Sequence, residues 1–154
     1  MVTFLAFTDG EPFATGFIEY NYQPATEHEL EPRIMFQVAV ENRRVTAILD
    51  TGAPYVVCNP SLTRELGLLP VLALTQIRLL IRGMSVTGRL YRLNLTFLAT
   101  QGNDLTVETT AFVPDPEWEE RWGNLPSFVG LNGCLERMRF AVDPGSDTLY
   151  FGSL

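Results

Sequence analysis

The residues best suited to chemistry are Asp50, Thr51, Gly52 and Ala53, which follow the apolar run Ala47-Ile48-Leu49. A strand delivers a carboxylate into a tight turn. Gly52 permits that turn and leaves its amide free to approach the carboxylate. Thr51 supplies a hydroxyl that can lock the loop, and the apolar strand behind Asp50 withholds water from one side of its charge. The same triplet is also an ordinary strand-ending turn in which Asp accepts a backbone N–H.

The rest of the composition limits the alternatives. The 154 residues contain no lysine, one histidine (His28) and two cysteines (Cys58 and Cys134), and the eleven basic residues are all arginine. Without lysine there is no Schiff-base chemistry and no lysine-bearing phosphate loop. Two cysteines without a CxxC pair, plus one histidine, make no zinc site from His and Cys alone. A Ser-His or Cys-His system would depend on His28, which lies in a polar stretch with no framed nucleophile. Catalysis, if present, therefore runs on carboxylates, with no metal and no cofactor. The net charge of −7 argues against nucleic acid as a partner.

That charge is uneven: residues 1–32 carry −6, 33–112 carry +3 and 113–154 carry −4. Opposite charge on the first two segments allows attraction within or between chains, although a solvated acidic lead-in is the plainer reading. The N-terminus has no basic flank and too short an apolar run for a signal peptide, and no apolar stretch has the length of a membrane span. The expectation is a cytoplasmic protein with reduced thiols, both buried in apolar surroundings.

The elements that must position Asp50 read as β. Strands are expected at 13–22, 33–40, 44–49 and 55–58, with a proline-flanked linker at 23–32. A short helix runs from Pro60 or Ser61 to Leu66, stopped by Gly67. Strands at 74–81 and 89–98 flank a glycine-bearing tip at 82–88, and another strand covers 105–113. A loop or short helical insertion with Trp118 and Trp122 fills 114–126. A brief apolar run at 128–130, helical turns at 132–138 and a hairpin of 140–142 with 148–151 complete a mostly-β domain. Its parts are an acidic extension at 1–32, a strand pair or arm, and the main domain at 33–154.

A second signature follows the first by about 80 residues: Phe128-Val129-Gly130-Leu131-Asn132, then Leu135. With both signatures and this order of elements, residues 33–152 resemble the retropepsin-like aspartic proteases, in the bacterial and cellular branch. The resemblance implies a single-domain closed β-barrel with one or two short helices and a flap hairpin. It makes Asp50 the catalytic aspartate, Thr51 the residue bonding to a partner loop, and Gly52 and Ala53 contacts for substrate backbone. It places the flap tip at 83–88, so that Gly83, Met84, Ser85 and Val86, with Tyr55, would meet the substrate. Phe128, Val129, Gly130 and Asn132 would support the aspartate loop as a ψ-shaped element. Retroviral members pair an acid two residues after the Asp-Thr-Gly glycine with an arginine after the second-signature glycine; here those positions hold Pro54 and Leu131. Both partners are lost together, so no charge is left buried alone, and the subsites near Pro54 and Tyr55 should be less polar. Arg78, Arg82, Arg89 and Arg92 mark the hairpin, where they would favour acidic substrates or form a solvated face.

Aspartic proteolysis needs two carboxylates about one water, sharing a proton because like charges about 3 Å apart do not both ionise. This chain has one such aspartate, since Asp143-Pro144-Gly145 reads as a hairpin turn. Asp50 must therefore meet Asp50 of a second copy on a twofold axis, with Thr148–Phe151 as the expected interface strand. The expected function is a homodimeric aspartic endopeptidase acting on extended peptides. The competing reading is a non-catalytic peptide-binding or dimerisation module with the same fold.

Overall fold

The computed structural model describes residues 5–154. Alternating inward residues make the first hairpin: β3 (Arg33–Val40) buries Phe36, Val38 and Val40 and pairs antiparallel with β4 (Arg43–Leu49). The expected strand at 13–22 is two strands. β1 (Gly16–Glu19) and β2 (Asn21–Gln23) belong to different sheets, and buried Tyr20 marks the crossing. Next come β5 (Val56–Val57), α1 (Leu62–Glu65), β6 (Thr75–Ile81), β7 (Met84–Phe97), β8 (Gln101–Gly102) and β9 (Leu105–Pro114). α2 (Glu119–Trp122), β10 (Ser127–Val129), β11 (Met138–Asp143) and β12 (Thr148–Ser153) complete the chain.

Eight strands form one sheet in the order β2-β3-β4-β10-β5-β9-β7-β6, and a further β3–β7 pairing joins six of them into a ring. The other sheet is β11-β12-β1-β8. Phe97 stacks on Phe36 at 6.0 Å and meets Phe151 at 5.6 Å, tying the two sheets together through the main core. A second core of Val57, Ile81, Val86, Leu90, Phe112 and Trp122 lies under the β6–β7 hairpin.

Several expectations on element bounds are corrected. α1 has four residues; the Asn59 side chain accepts the Ser61 N–H at 3.0 Å, and Gly67 at φ +63° ends the turn. The helical turns expected at 132–138 shrink to a 3-10 turn at Leu135–Arg137, with β11 starting at Met138. The hairpin tip is also much narrower than 82–88. Arg82 (φ +49°) and Gly83 (φ +81°) alone make the turn, and Ile81 pairs with Met84. Gly88 is a packing glycine instead: a Cβ there would fall 2.5 Å from the Val113 carbonyl and 2.6 Å from the Phe112 ring. β7 therefore runs straight through it, between β6 and β9.

The strand expected at the interface, β12, pairs with β11 on one side and β1 on the other, so neither of its edges is left free for strand pairing with a second chain. Gly16 and Gly152 allow this fit, since a Cβ at either would meet backbone carbonyls at 2.3 and 2.5 Å.

Candidate active site

Asp50 is set by two strands at once. β4 carries it, and β10 runs parallel beside β4 with Val129 opposite Leu49, so the Val129 carbonyl accepts the Asp50 N–H at 3.0 Å. On its other side β10 pairs antiparallel with β5 through Phe128 and Val57. The 50–55 loop thus connects two strands that straddle β10, in a ψ-shaped arrangement. Gly130 is essential to that closeness: its absent Cβ would lie 2.1 Å from the Tyr55 carbonyl oxygen and 2.6 Å from that of Ala53. The Leu131 N–H donates to the Ala53 carbonyl at 2.9 Å, and the Leu135 N–H to that of Gly130 at 3.3 Å.

Within the loop, the Gly52 N–H donates to Asp50 Oδ1 at 3.0 Å and the Ala53 N–H to the Asp50 carbonyl at 3.0 Å. The Asp50 side chain is half-buried and keeps one carboxylate oxygen without a partner among the described residues, whereas Thr51 and Gly52 are exposed. No hydrogen bond among the described residues uses the Thr51 hydroxyl.

Asp50 borders a cleft of about 240 Å³. One wall is Gly52, Ala53, Pro54, Val57 and Phe128; the other is the end of β6, Leu79 to Ile81, with Arg82 of the hairpin tip, and Glu31 also lines the cleft. Its lining combines apolar Ala53, Pro54, Val57, Leu79, Leu80, Ile81 and Phe128 with the charged side chains of Glu31, Asp50 and Arg82. A larger cleft of about 560 Å³, bordered by Glu19, Arg44 and Asp104, shares no residue with it.

The other sequence-designated residues divide. Gly83 and Ser85 are exposed at the tip, and half-buried Met84 leans on the second core. Val86 is fully covered within that core, so its side chain is not presented at the surface of this chain. Tyr55 is half-buried against the same core, and Asn132 is an exposed turn residue. Of the hairpin arginines, Arg89 pairs with Asp115 at 3.2 Å, Arg92 approaches Glu108 at 3.9 Å and Arg82 pairs with Glu29 at 2.7 Å. They are largely matched by the chain's own acids, and Arg78 is exposed. Sequence reasoning missed Glu31, Leu79 and Leu80. The only advance signal was the opposite charge of the first two segments.

The insertion at 114–126 braces the hairpin. Trp118 donates to the Thr87 hydroxyl at 3.1 Å, the Asp115 N–H donates to the Thr87 carbonyl at 3.0 Å, and Trp122 donates to the Leu125 carbonyl at 2.8 Å. Both cysteines are buried and free. Burial pushes the thiols of Cys58 and Cys134 up to about 12. No cluster of three or more His, Cys, Asp or Glu among the described residues is arranged to hold a metal ion, and no helix there is long and apolar enough to cross a membrane.

A β-rich chain that delivers an aspartate into a Thr-Gly turn, with a glycine-ended strand threaded beside it, has the architecture of the aspartic-protease class. The model of an aspartyl protease family matches residues 36–115, just over half of the chain, and the chain belongs to that family. The crystal structure of a retropepsin-like aspartic protease from Rickettsia conorii is similar over 90% of this chain and 94% of that one, with a TM-score of 0.53 at 18% identity. The fold is therefore retropepsin-like. No curated protein matches this sequence.

Proposed function

We propose that this chain is one protomer of an aspartic endopeptidase, in which Asp50 of two copies activates a water for attack on a peptide bond. The observation that carries the reading is the placement of Asp50. It lies on the Gly52 amide, at the edge of a cleft roofed by a hairpin, with one oxygen free and the loop around it exposed. The ionised member of the pair takes a proton from the water, while the protonated member hydrogen-bonds the scissile carbonyl. The resulting tetrahedral species collapses with protonation of the leaving amine, and no covalent intermediate forms.

Thr51 and Gly52 are the residues proposed to face the second copy, since their loops must meet where the two aspartates do. The dimer would form through this loop surface, as β12 has no free edge. A substrate would lie extended under the hairpin, beside Leu79, Leu80 and Gly83, with Ala53 and Gly52 offering backbone groups below. Apolar Pro54, Val57 and Phe128 favour an apolar side chain next to the cut bond. In this reading 33–154 is the proteolytic unit and 1–32 an arm built around it.

The test is Asp50→Asn in the full chain. Cleavage of an unstructured protein substrate should fall by at least about 10³-fold, with the melting temperature and the dimer fraction unchanged. Cleavage that persists in Asp50→Asn, or that comes from a strict monomer, overturns the proposal. A fold that binds peptides equally well with and without Asp50 and never cuts them would be the non-catalytic module.

A further inference from the structure

The segment between β2 and β3 is more than a linker. Thr26 and Glu29 close a small turn: the Thr26 N–H donates to the Glu29 carbonyl at 2.7 Å, and the Thr26 hydroxyl accepts the Glu29 N–H at 3.0 Å. That turn presents the Glu29 carboxylate to two arginines from different parts of the fold. Arg33 opens β3, and Arg82 sits in the hairpin tip and donates to Oε2 at 2.7 Å. The Glu29 and Arg33 side chains are 21% and 13% exposed and that of Arg82 is 39% exposed, so the Arg33 side of the bridge is the more shielded and the Arg82 side faces water. Two residues on, Glu31 lines the Asp50 cleft. Arg82 holds a left-handed backbone, which Asn or Gly would adopt with less strain.

These contacts add an anchor to the hairpin. The 114–126 insertion braces it at Thr87 and the second core packs under Ile81 and Met84, and among the described residues the Glu29 carboxylate ties its tip to the 24–32 segment. Glu31, Arg82 and Asp50 line one cleft, so a peptide filling it would displace either the 24–32 strap or the hairpin tip. Both movements separate Glu29 from Arg82.

We propose that residues 24–32 form an intramolecular latch, in which Glu29 bridges Arg82 and Arg33 to hold the strap across the Asp50 cleft, so that peptide access requires this bridge to open. The latch rests on the proteolytic reading for what enters the cleft, and on the observed contacts for what closes it. The bridge joins oppositely charged segments of one chain, so opening it needs no co-reactant and breaks no covalent bond.

The experiment uses the full chain and two substitutions. Glu29→Ala keeps the backbone turn, and Arg82→Asn suits the left-handed tip. Amide hydrogen exchange is measured in an Asp50→Asn background, which removes self-cleavage. Each substitution should speed exchange about threefold or more at both 24–32 and 82–85, with β9 unchanged, and the pair together should add little. In the Asp50 chain, both should speed association of a statine-type transition-state mimic. Unchanged exchange at the tip in both variants overturns the latch. So does loosening of strap and tip with no gain in association rate while the mimic still binds. If exchange rises as expected but no variant binds the mimic, the tie between strap and tip stands and the proteolytic reading fails.

Discussion

Replacing Gly130 with alanine tests the central geometric statement about the site. The new Cβ would sit 2.1 Å from the Tyr55 carbonyl oxygen and 2.6 Å from that of Ala53. Ordinary contact begins near 3.4 Å, so the first of these groups must retreat by about 1.3 Å, and both belong to backbone, not to a flexible side chain. Overpacking of this kind costs about 1–3 kcal/mol. The shift also strains two hydrogen bonds, Leu131 N–H to the Ala53 carbonyl and Asp50 N–H to the Val129 carbonyl, each worth about 1 kcal/mol. Together these give about 3–5 kcal/mol, or a fall in melting temperature of roughly 6–20 °C for a chain of this size. Thermal denaturation by circular dichroism, at matched protein concentration, measures it. Gly145→Ala is the control: its Cβ would meet only the Asp143 carboxylate, at 3.2 Å, an exposed side-chain group that needs to yield by a few tenths of an ångström, and its stability should change by less than about 0.5 kcal/mol. If the chain cleaves as proposed, Gly130→Ala should also lose about 100-fold in cleavage rate below its melting point, because the Asp50 loop is displaced by about 1 Å. A variant that melts within about 2 °C of the parent refutes the close approach of β10 to the aspartate loop.

Two further outcomes follow from charge and burial. Cys58 is lifted chiefly by burial and further by neighbouring Cys134; Cys134 is lifted by burial, partly opposed by Arg137. At pH 8 only about one thiol in 10⁴ is ionised, so iodoacetamide labelling of the native protein should track global unfolding; labelling within minutes in native buffer contradicts the burial. Hydrogen bonding from Arg82 holds the Glu29 carboxyl below its usual range, opposed by desolvation and aided by the Glu31 N–H and the charges of Arg33 and Arg82. Because the folded value is depressed, the strap contact is fully present above the ordinary glutamate range and is lost as pH falls through the lowered value. Exchange at 24–32 should accordingly rise only in acid; a strap that loosens between pH 6 and 8 argues against Glu29 as its anchor.

Much of the scaffold was legible from period and punctuation. The alternation in 33–40 specified a half-buried strand, whose one buried face fixes its register against the β-rich run at 44–49 across the Glu41-Asn42 turn. The Asp50-Thr51-Gly52 turn was legible because a carboxylate beside a glycine amide is a local structure that needs no distant partner. Glycine misled where its reason was packing. Gly88 resembles a turn residue in sequence, but it is the place where β7 passes the Phe112 ring, a contact made with a residue 24 positions later. The strand expected at 13–22 splits at Tyr20 for a similar reason, since the two sheets it joins are completed only by β12 and β3.

By itself, the sequence determined that the chain offers carboxylates and no lysine for chemistry, and that Asp50 ends an apolar strand before a Thr-Gly turn. Residue types and neighbours along the chain settle both. Only the tertiary structure decided that β1 closes off β12, that the hairpin tip is two residues wide, and that Glu29 reaches Arg82 across 53 positions. Long-range pairings of this kind depend on which edges and charges the folded chain leaves available, and local propensity carries no record of that.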